Sequence, residues 1–268
     1  MLKDMTIGQY FPTGSVLHRL DARVKLICTV AFIVAVFLSD SFITLGLCLA
    51  VIVALMLLSR VHIKLYLKML KSIWPVIIIT SVLNIFYVQG QVIFSYWIIN
   101  ITLEGILKSI FVALRIAMLV TVSSLLTYTT SANDLTDGIE RLFSPLKHIG
   151  LGEAVHTLAM MTSIAMRFIP TLVDETEKIM NAQKARGADF ETGNMLSRIK
   201  AMLPILIPLL MSAVRRAIDL AQAMECRCYN GSAGRTKMKQ VHISARDIIA
   251  LLCLAALIAA VIAGRIWL

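Results

Sequence analysis

Between Lys25 and Arg60 the chain carries no lysine or arginine, and this interval holds two apolar runs, 26–38 and 42–58, split only by Ser39-Asp40-Ser41. Backbone that crosses a bilayer must satisfy its own hydrogen bonds, so such a stretch is either helical or part of a closed barrel. The apolar runs are too long for barrel strands. A membrane helix needs about 17–25 residues, so the second run suffices and the first is short. Together they read as a tight transmembrane hairpin. Its break carries no positive charge and is expected to face outward.

Composition agrees. Of 268 residues 58% are apolar, and the mean hydropathy is +0.81, too apolar for a soluble domain of this length. A net charge of +10 would suit a nucleic-acid binder. Here the basic residues fall between apolar runs and not in one patch, so the expected surroundings are a lipid bilayer and not a nucleic acid. The fold class expected is all-α, a polytopic helical membrane protein.

Residues 60–71 place Arg60, Lys64, Lys68 and Lys71 on one helical face and Ile63, Leu67, Leu70 and Trp74 on another. This predicts an amphipathic helix on the inner interface. A third span is expected over 73–88, containing Pro75 and Asn84. The next stretch, with Phe94, Tyr96 and Trp97, suits an outer aromatic belt. A fourth span follows over 105–126 and a last one over 247–264. The expected division is a four-span region 1–126, a cytoplasmic or interfacial module 127–245, and a C-terminal span within 246–268. That makes about five spans, with the N-terminus inside and the C-terminus outside. Apolar stretches 154–169 and 201–214 are punctuated by Arg167, Pro170, Pro204 and Pro208. Were they a spanning pair, Lys178, Lys184, Arg186, Arg198 and Lys200 would lie outside, against the positive-inside bias. They read as helices at the inner boundary. The first twenty-five residues carry charge and turn formers before any apolar core, so no cleavable signal peptide is expected.

Cys28, Cys48 and Cys253 lie inside apolar runs and read as small hydrophobes; Cys226 and Cys228 flank Arg227. A Cys-x-Cys pair without a second ligand pair nearby is a poor zinc site, so no metal is expected, and no cofactor.

The module 127–245 contains two arginines 41 positions apart (227 − 186), each at the end of a helical stripe. The first stripe is Leu172, Thr176, Ile179, Gln183 and Arg186, with Gly187 positioned to end the helix in a left-handed turn. The second is Leu210, Ala213, Val214, Ala217, Leu220 and Met224, which Arg227 continues by one turn. An arginine at a helix C-terminus is also what the helix dipole and the inner leaflet favour by themselves. Two helices sharing the order proline, amphipathic helix, terminal arginine favour docking to a partner. Each stripe would lie in a groove and each guanidinium would grip a carboxylate in a bidentate pair.

At these residues the chain resembles the transmembrane T-component family (EcfT/CbiQ) of energy-coupling factor (ECF) transporters, a branch of the ABC transporters. Ala185-Arg186-Gly187 is similar to that family's first Ala-Arg-Gly motif. Cys226-Arg227-Cys228 stands where the second is usual, with the arginine kept and both neighbours replaced. The block Leu17-His18-Arg19-Leu20-Asp21-Ala22-Arg23-Val24-Lys25-Leu26 is similar to the family's opening Leu-His-x-Leu-Asp-Pro-Arg-x-Lys-Leu, with Ala22 for the proline. Asp21 is expected to cap the first helix and pair with Lys25. Met166-Arg167-Phe168-Ile169-Pro170 resembles another family block. The resemblance implies a non-catalytic coupling subunit in a bacterial or archaeal cytoplasmic membrane. Two ATP-binding ATPase subunits would dock on Ala185, Arg186, Gly187, Cys226, Arg227 and Cys228. A separate membrane-embedded S component would bind a vitamin or other micronutrient. In keeping with that, the chain has no Gly-x-x-x-x-Gly-Lys-Ser/Thr loop. The lead-in Tyr10-Phe11-Pro12-Thr13-Gly14 looks more like vitamin-type members than metal-type ones.

The alternative is a self-contained secondary transporter, which would want paired intramembrane charges or symmetric broken helices. A membrane-bound enzyme would need convergent His, Asp or Glu groups, and the acidic residues here are scattered. Arg115, near the middle of the fourth span, is either functional or paired with Asn84 or a backbone carbonyl. His156 reads as a hydrogen-bonded packing residue. Met160, Met161 and Met166 read as core, or as an adaptable surface for sliding. Arg235, Lys237 and Lys239 are expected to meet anionic lipid.

Overall fold

A computed structural model describes residues 10–96, 99–143, 152–188, 190, 195–231 and 244–267. Arg235, Lys237 and Lys239 therefore lie outside the described residues. The chain divides into two compact units: Gly8–Gly138 with Lys239–Leu268, and Met1–Ile7 with Ile139–Met238.

The first unit is a membrane-type bundle. After a 3-10 turn, Leu17–Arg19, come α1 (Ala22–Leu38), α2 (Phe42–Ser59), α3 (Ile63–Tyr87), α4 (Leu103–Thr129), the start of α5 (Ala132–Leu142) and α8 (Ala245–Trp267). Side-chain oxygens start most of them. Asp21 accepts the Arg23 N–H at 3.0 Å, Ser41 that of Ile43 at 3.4 Å, and Thr102 that of Gly105 at 3.1 Å. Each satisfies an amide donor that no helix turn can. Ser244 and Asp247 form the reciprocal half of a capping box, the carboxylate accepting the Ser244 N–H at 2.7 Å.

The core is aliphatic where the helices cross, with Val36, Leu45, Cys48, Met118, Val122 and Val261 buried together. A second cluster stacks Tyr66 edge-on against Tyr128, ring centroids 5.4 Å apart. The Ser59 and Tyr66 hydroxyls lie 3.2 Å apart, within hydrogen-bond reach, as a buried phenol requires. Around this core the exterior is apolar as well: Trp74, Ile79, Tyr87, Leu57 and Leu252 are exposed. Such a surface is tolerable against acyl chains and not against water.

Among the described residues five helices are long and apolar enough to cross a membrane: Phe42–Ser59, Ile63–Tyr87, Leu103–Thr129, Ile199–Cys226 and Ala245–Arg265. The number agrees with the sequence reading but the membership differs. The run 26–38 belongs to a 17-residue helix, at the lower limit for a span. Helix α7 (Met195–Cys226), read from sequence as boundary-bound, has the length and composition of one.

The amphipathic helix and third span expected over 60–88 are one continuous helix, α3, which runs through Pro75. Between α3 and α4 the stretch expected to be an aromatic belt folds as an antiparallel hairpin, β1 (Val92–Tyr96) and β2 (Ile99–Thr102). Pairing in this way satisfies backbone that would otherwise lie unpaired near the hydrocarbon.

Arg115 resolves to the carbonyl alternative. Its Nη2 donates to the Ser39 carbonyl, and its guanidinium lies 4.8 Å from the centroid of Phe111. Asn84 instead donates to the Thr80 carbonyl of its own helix at 2.8 Å. The Lys25 side chain does not pair with the Asp21 carboxylate. Its ammonium donates to the carbonyls of Thr129, at 2.8 Å, and His18, at 3.3 Å. Asp21 is nearest Arg23, at 3.7 Å.

Candidate partner-docking site

The second unit holds the end of α5, then α6 (Gly152–Ala185) and α7 (Met195–Cys226). Both are longer than the proline pattern suggests, because α6 runs through Pro170 and α7 through Pro204 and Pro208. Each proline removes one N–H donor, so a carbonyl four residues earlier loses its intrahelical partner while the helix continues.

Three contacts set how the two helices pack. The Tyr229 hydroxyl donates to the Met160 sulfur at 3.0 Å. Glu175 accepts from the Ser212 hydroxyl at 2.9 Å and from the Arg216 guanidinium. Late residues of α7 thus meet early residues of α6, so the pair is antiparallel. Those hydrogen bonds from Ser212 and Arg216 hold the Glu175 carboxyl below the usual carboxylate range. Beside them is a small apolar groove of about 250 Å3, lined by Ile164, Phe168 and Leu172 on α6 and by Ala213, Leu220 and Met224 on α7. Part of the α7 stripe therefore faces α6 itself. Leu210 and Val214 remain exposed.

The two helices end alike. The Gly187 N–H donates to the Lys184 carbonyl at 3.0 Å and the Ala188 N–H to the Gln183 carbonyl at 3.0 Å. At the other end, Cys228 donates to Glu225 at 2.9 Å and Tyr229 to Met224 at 3.0 Å. Both are Schellman terminations with a left-handed residue after the cap, Gly187 at φ 86° and Cys228 at φ 55°. Arg186 and Arg227 are the two cap residues. Both are exposed, and among the described residues neither has a carboxylate partner. Ala185, Cys226 and Cys228 are exposed beside them, and both cysteines are free thiols.

Each arginine lies eleven residues beyond the member of the Glu175–Arg216 pair on its own helix (186 − 175 and 227 − 216). That is about 16 Å of helix each. Because the helices are antiparallel, the arginines lie at opposite ends of the pair, roughly 30 Å apart. The unit thus presents two cationic tips, related by the same 41-residue offset, on one braced pair of helices. Sequence reasoning found the tips and missed the brace. The signal was present, since Glu175 and Arg216 share the offset of Arg186 and Arg227. His156 is held by Glu140, Nδ1 to Oε1 3.2 Å, as a packing residue would be.

Comparison with known proteins identifies the family. Residues 13–238 match the family described as cobalt transport protein, CbiQ. The chain is similar to the energy-coupling factor transporter transmembrane protein EcfT of Thermosediminibacter oceani, 45% identical over 267 residues, 99% of this chain and 100% of the relative. It is 48% identical to EcfT of Clostridium kluyveri over 271 residues, 100% and 99% of the two chains. With EcfT of Lactococcus lactis subsp. cremoris it shares 43% over 247 residues, 92% of each.

Proposed function

This chain belongs to the CbiQ/EcfT family of transporter transmembrane proteins, and from that premise we propose that it couples ATP hydrolysis by two cytoplasmic partner ATPases to substrate release from a membrane-embedded S component. It is a transmembrane component of an energy-coupling factor transporter. In this reading it is not itself an ATPase, and the S component recognises the vitamin or other micronutrient.

The observation that carries the reading is the matched pair of terminations. Two ATPases offer two equivalent grooves, and the α6–α7 unit offers two equivalent tips, each an exposed cap arginine fixed by the same turn. Ala185, Arg186 and Gly187 dock one ATPase, and Cys226, Arg227 and Cys228 the other. A groove carboxylate takes each guanidinium in a bidentate pair, which fixes direction as well as adding energy. Because Glu175, Arg216 and Ser212 tie the helices at their crossing, displacement of one tip is transmitted along a stiff rod to the other.

The tips lie on the cytoplasmic side, as does the N-terminus. Residues 1–126 and the last span, within 246–268, hold the protein in the membrane and face the S component, and 127–245 is the coupling module. Helix α7 has the composition to cross, but crossing would strand the basic residues of 178–200 outside. It therefore lies in the inner boundary.

The test is co-purification from the native membrane, followed by charge exchange. Arg186→Asp and Arg227→Asp should release the ATPases, and a carboxylate-to-lysine change in the facing groove should recapture them. If the reversed variants keep their ATPases, the docking assignment is wrong.

A further inference from the structure

Within the membrane unit α1 touches α4 and α8, and α2 touches the same two helices, so the four surround a common axis. Their buried core fills this axis at one end, around Val36, Leu45, Met118 and Val261. Between this core and the Tyr66–Tyr128 cluster lies an apolar cavity of about 340 Å3 lined by Leu20, Val24, Leu55, Leu125, Ala250 and Leu257 among others. A second cavity of about 510 Å3 adjoins its mouth and is lined by Arg19, Arg60 and Arg246. Val16, Leu58 and Arg246 line both.

All three arginines are exposed, and among the described residues none is paired with a carboxylate. The nearest acids in sequence are committed elsewhere. Asp247 accepts the N–H groups of Asp21 and Ser244, and Asp21 accepts from Arg23. Arg246 lies in the first turn of α8, where the helix dipole favours an anion and opposes a cation. Arg60 caps α2 in the left-handed region, φ 54°. The mouth is thus three uncompensated guanidiniums from three separate segments.

The slot's depth is informative. Along α8 its lining runs from Arg246 to Leu257, eleven residues (257 − 246), or about 16 Å. That is close to half of a hydrocarbon core about 30 Å thick. A cationic rim over an apolar slot one leaflet deep matches the shape and charge of a single phospholipid.

We propose that this pair of cavities binds one anionic phospholipid, its headgroup phosphate on Arg19, Arg60 and Arg246 and one acyl chain in the slot between α1, α2, α4 and α8. Guanidinium forks suit phosphate oxygens, and a zwitterionic headgroup would bring its own cation to a site that already has three. The lipid fills the axis that side chains leave open.

The test uses the full chain, purified in mild detergent and stripped of lipid, with native mass spectrometry as the readout. Phosphatidylglycerol and phosphatidylcholine of equal chain length are supplied together. One phosphatidylglycerol should be retained at least tenfold over phosphatidylcholine. The triple change Arg19→Gln, Arg60→Gln and Arg246→Gln should cut that preference below twofold. Ala250→Phe, which places a ring in the slot with all three arginines intact, should abolish retention. Glycerol phosphate at millimolar concentration should not displace the lipid. Equal retention of the two lipids overturns the proposal, as does retention that survives Ala250→Phe, or a preference that survives the triple change in a folded variant. If the triple variant does not fold, the two-lipid comparison and Ala250→Phe decide. Displacement by glycerol phosphate would make this a site for free phosphate compounds, and loss of the lipid on assembly with co-purifying chains would make the slot a partner's seat; either sinks the assignment.

Discussion

Gly187 and Cys228 occupy the same position in two copies of one turn, 41 residues apart (228 − 187), both with positive φ and both following an arginine. Glycine adopts that conformation freely, whereas a cysteine there carries the steric cost of its Cβ.

The first prediction follows from that difference. Cys228→Gly should stabilise the end of α7 by about 0.5–1 kcal/mol, and Gly187→Ala should destabilise the end of α6 by a similar amount. Hydrogen exchange reads it locally. The amides of Cys228 and Tyr229 should exchange more slowly in the first variant, and those of Gly187 and Ala188 faster in the second.

Arg186→Ala and Arg227→Ala should leave the helices folded, because both side chains are exposed. Each should weaken ATPase docking by about 2–5 kcal/mol, the cost of truncating one member of a partly buried charge pair. Lysine should restore only part, since it offers a point charge and not a fork. Binding of purified ATPases to the chain in detergent measures this. Wild-type affinity in both alanine variants would reduce the arginines to ordinary helix-end cations.

His18 supplies a pH dependence. Its Nε2 donates to the Phe11 carbonyl at 2.7 Å and its Nδ1 lies 2.7 Å from the Ser15 hydroxyl. Burial, the largest influence, lowers its pKa; the Phe11 carbonyl raises it, the Lys25 charge lowers it, and the net is below the ordinary 6.5. The folded state therefore prefers the neutral ring. Its contribution is whole above the unfolded value and is lost as pH falls through the lower folded value. Between about pH 7.5 and pH 5 the wild type should lose melting temperature relative to His18→Gln. A constant difference across that range would show that the ring does not titrate with folding.

Arg115→Met should destabilise the membrane unit by about 1–3 kcal/mol, because the Ser39 carbonyl loses a charged donor and Phe111 its cation. ATPase binding should be unchanged. A loss of transport without a loss of melting temperature would return Arg115 to the functional residues.

A single cysteine at position 181, Asn181→Cys with the native cysteines replaced, should resist an impermeant thiol reagent in intact cells and react after permeabilisation. Labelling from outside would place α6 on the wrong side of the membrane for ATPase docking.

The terminal arginines were legible because Gly187 announces its turn and the apolar stripes point to it. The membrane class was legible from apolar runs alone. What sequence hid was tertiary. Prolines 170, 204 and 208 read as breaks, yet each lies inside a helix, because neighbouring turns and packing hold the axis where a local rule predicts a stop. Lys25 looked paired with Asp21 at helical spacing, but the Thr129 carbonyl, 104 positions away, accepts its hydrogen bond at 2.8 Å. The hairpin at 92–102 was lost in aromatic content that suits an interface equally well. Cys228 gave no sign of a left-handed turn, since a non-glycine residue there is visible only by analogy with Gly187.

One bond ties the start of α1 to a helix that is synthesised much later. The Asp21 N–H, at the start of the first helix, is received by the Asp247 carboxylate at 2.9 Å, 226 positions later. Asp247 is only 1% exposed. A ribosome delivers Asp21 226 positions before Asp247, so α1 is made while the acceptor for that amide does not yet exist. The seam between α1 and α8 stays open until α8 arrives and closes it.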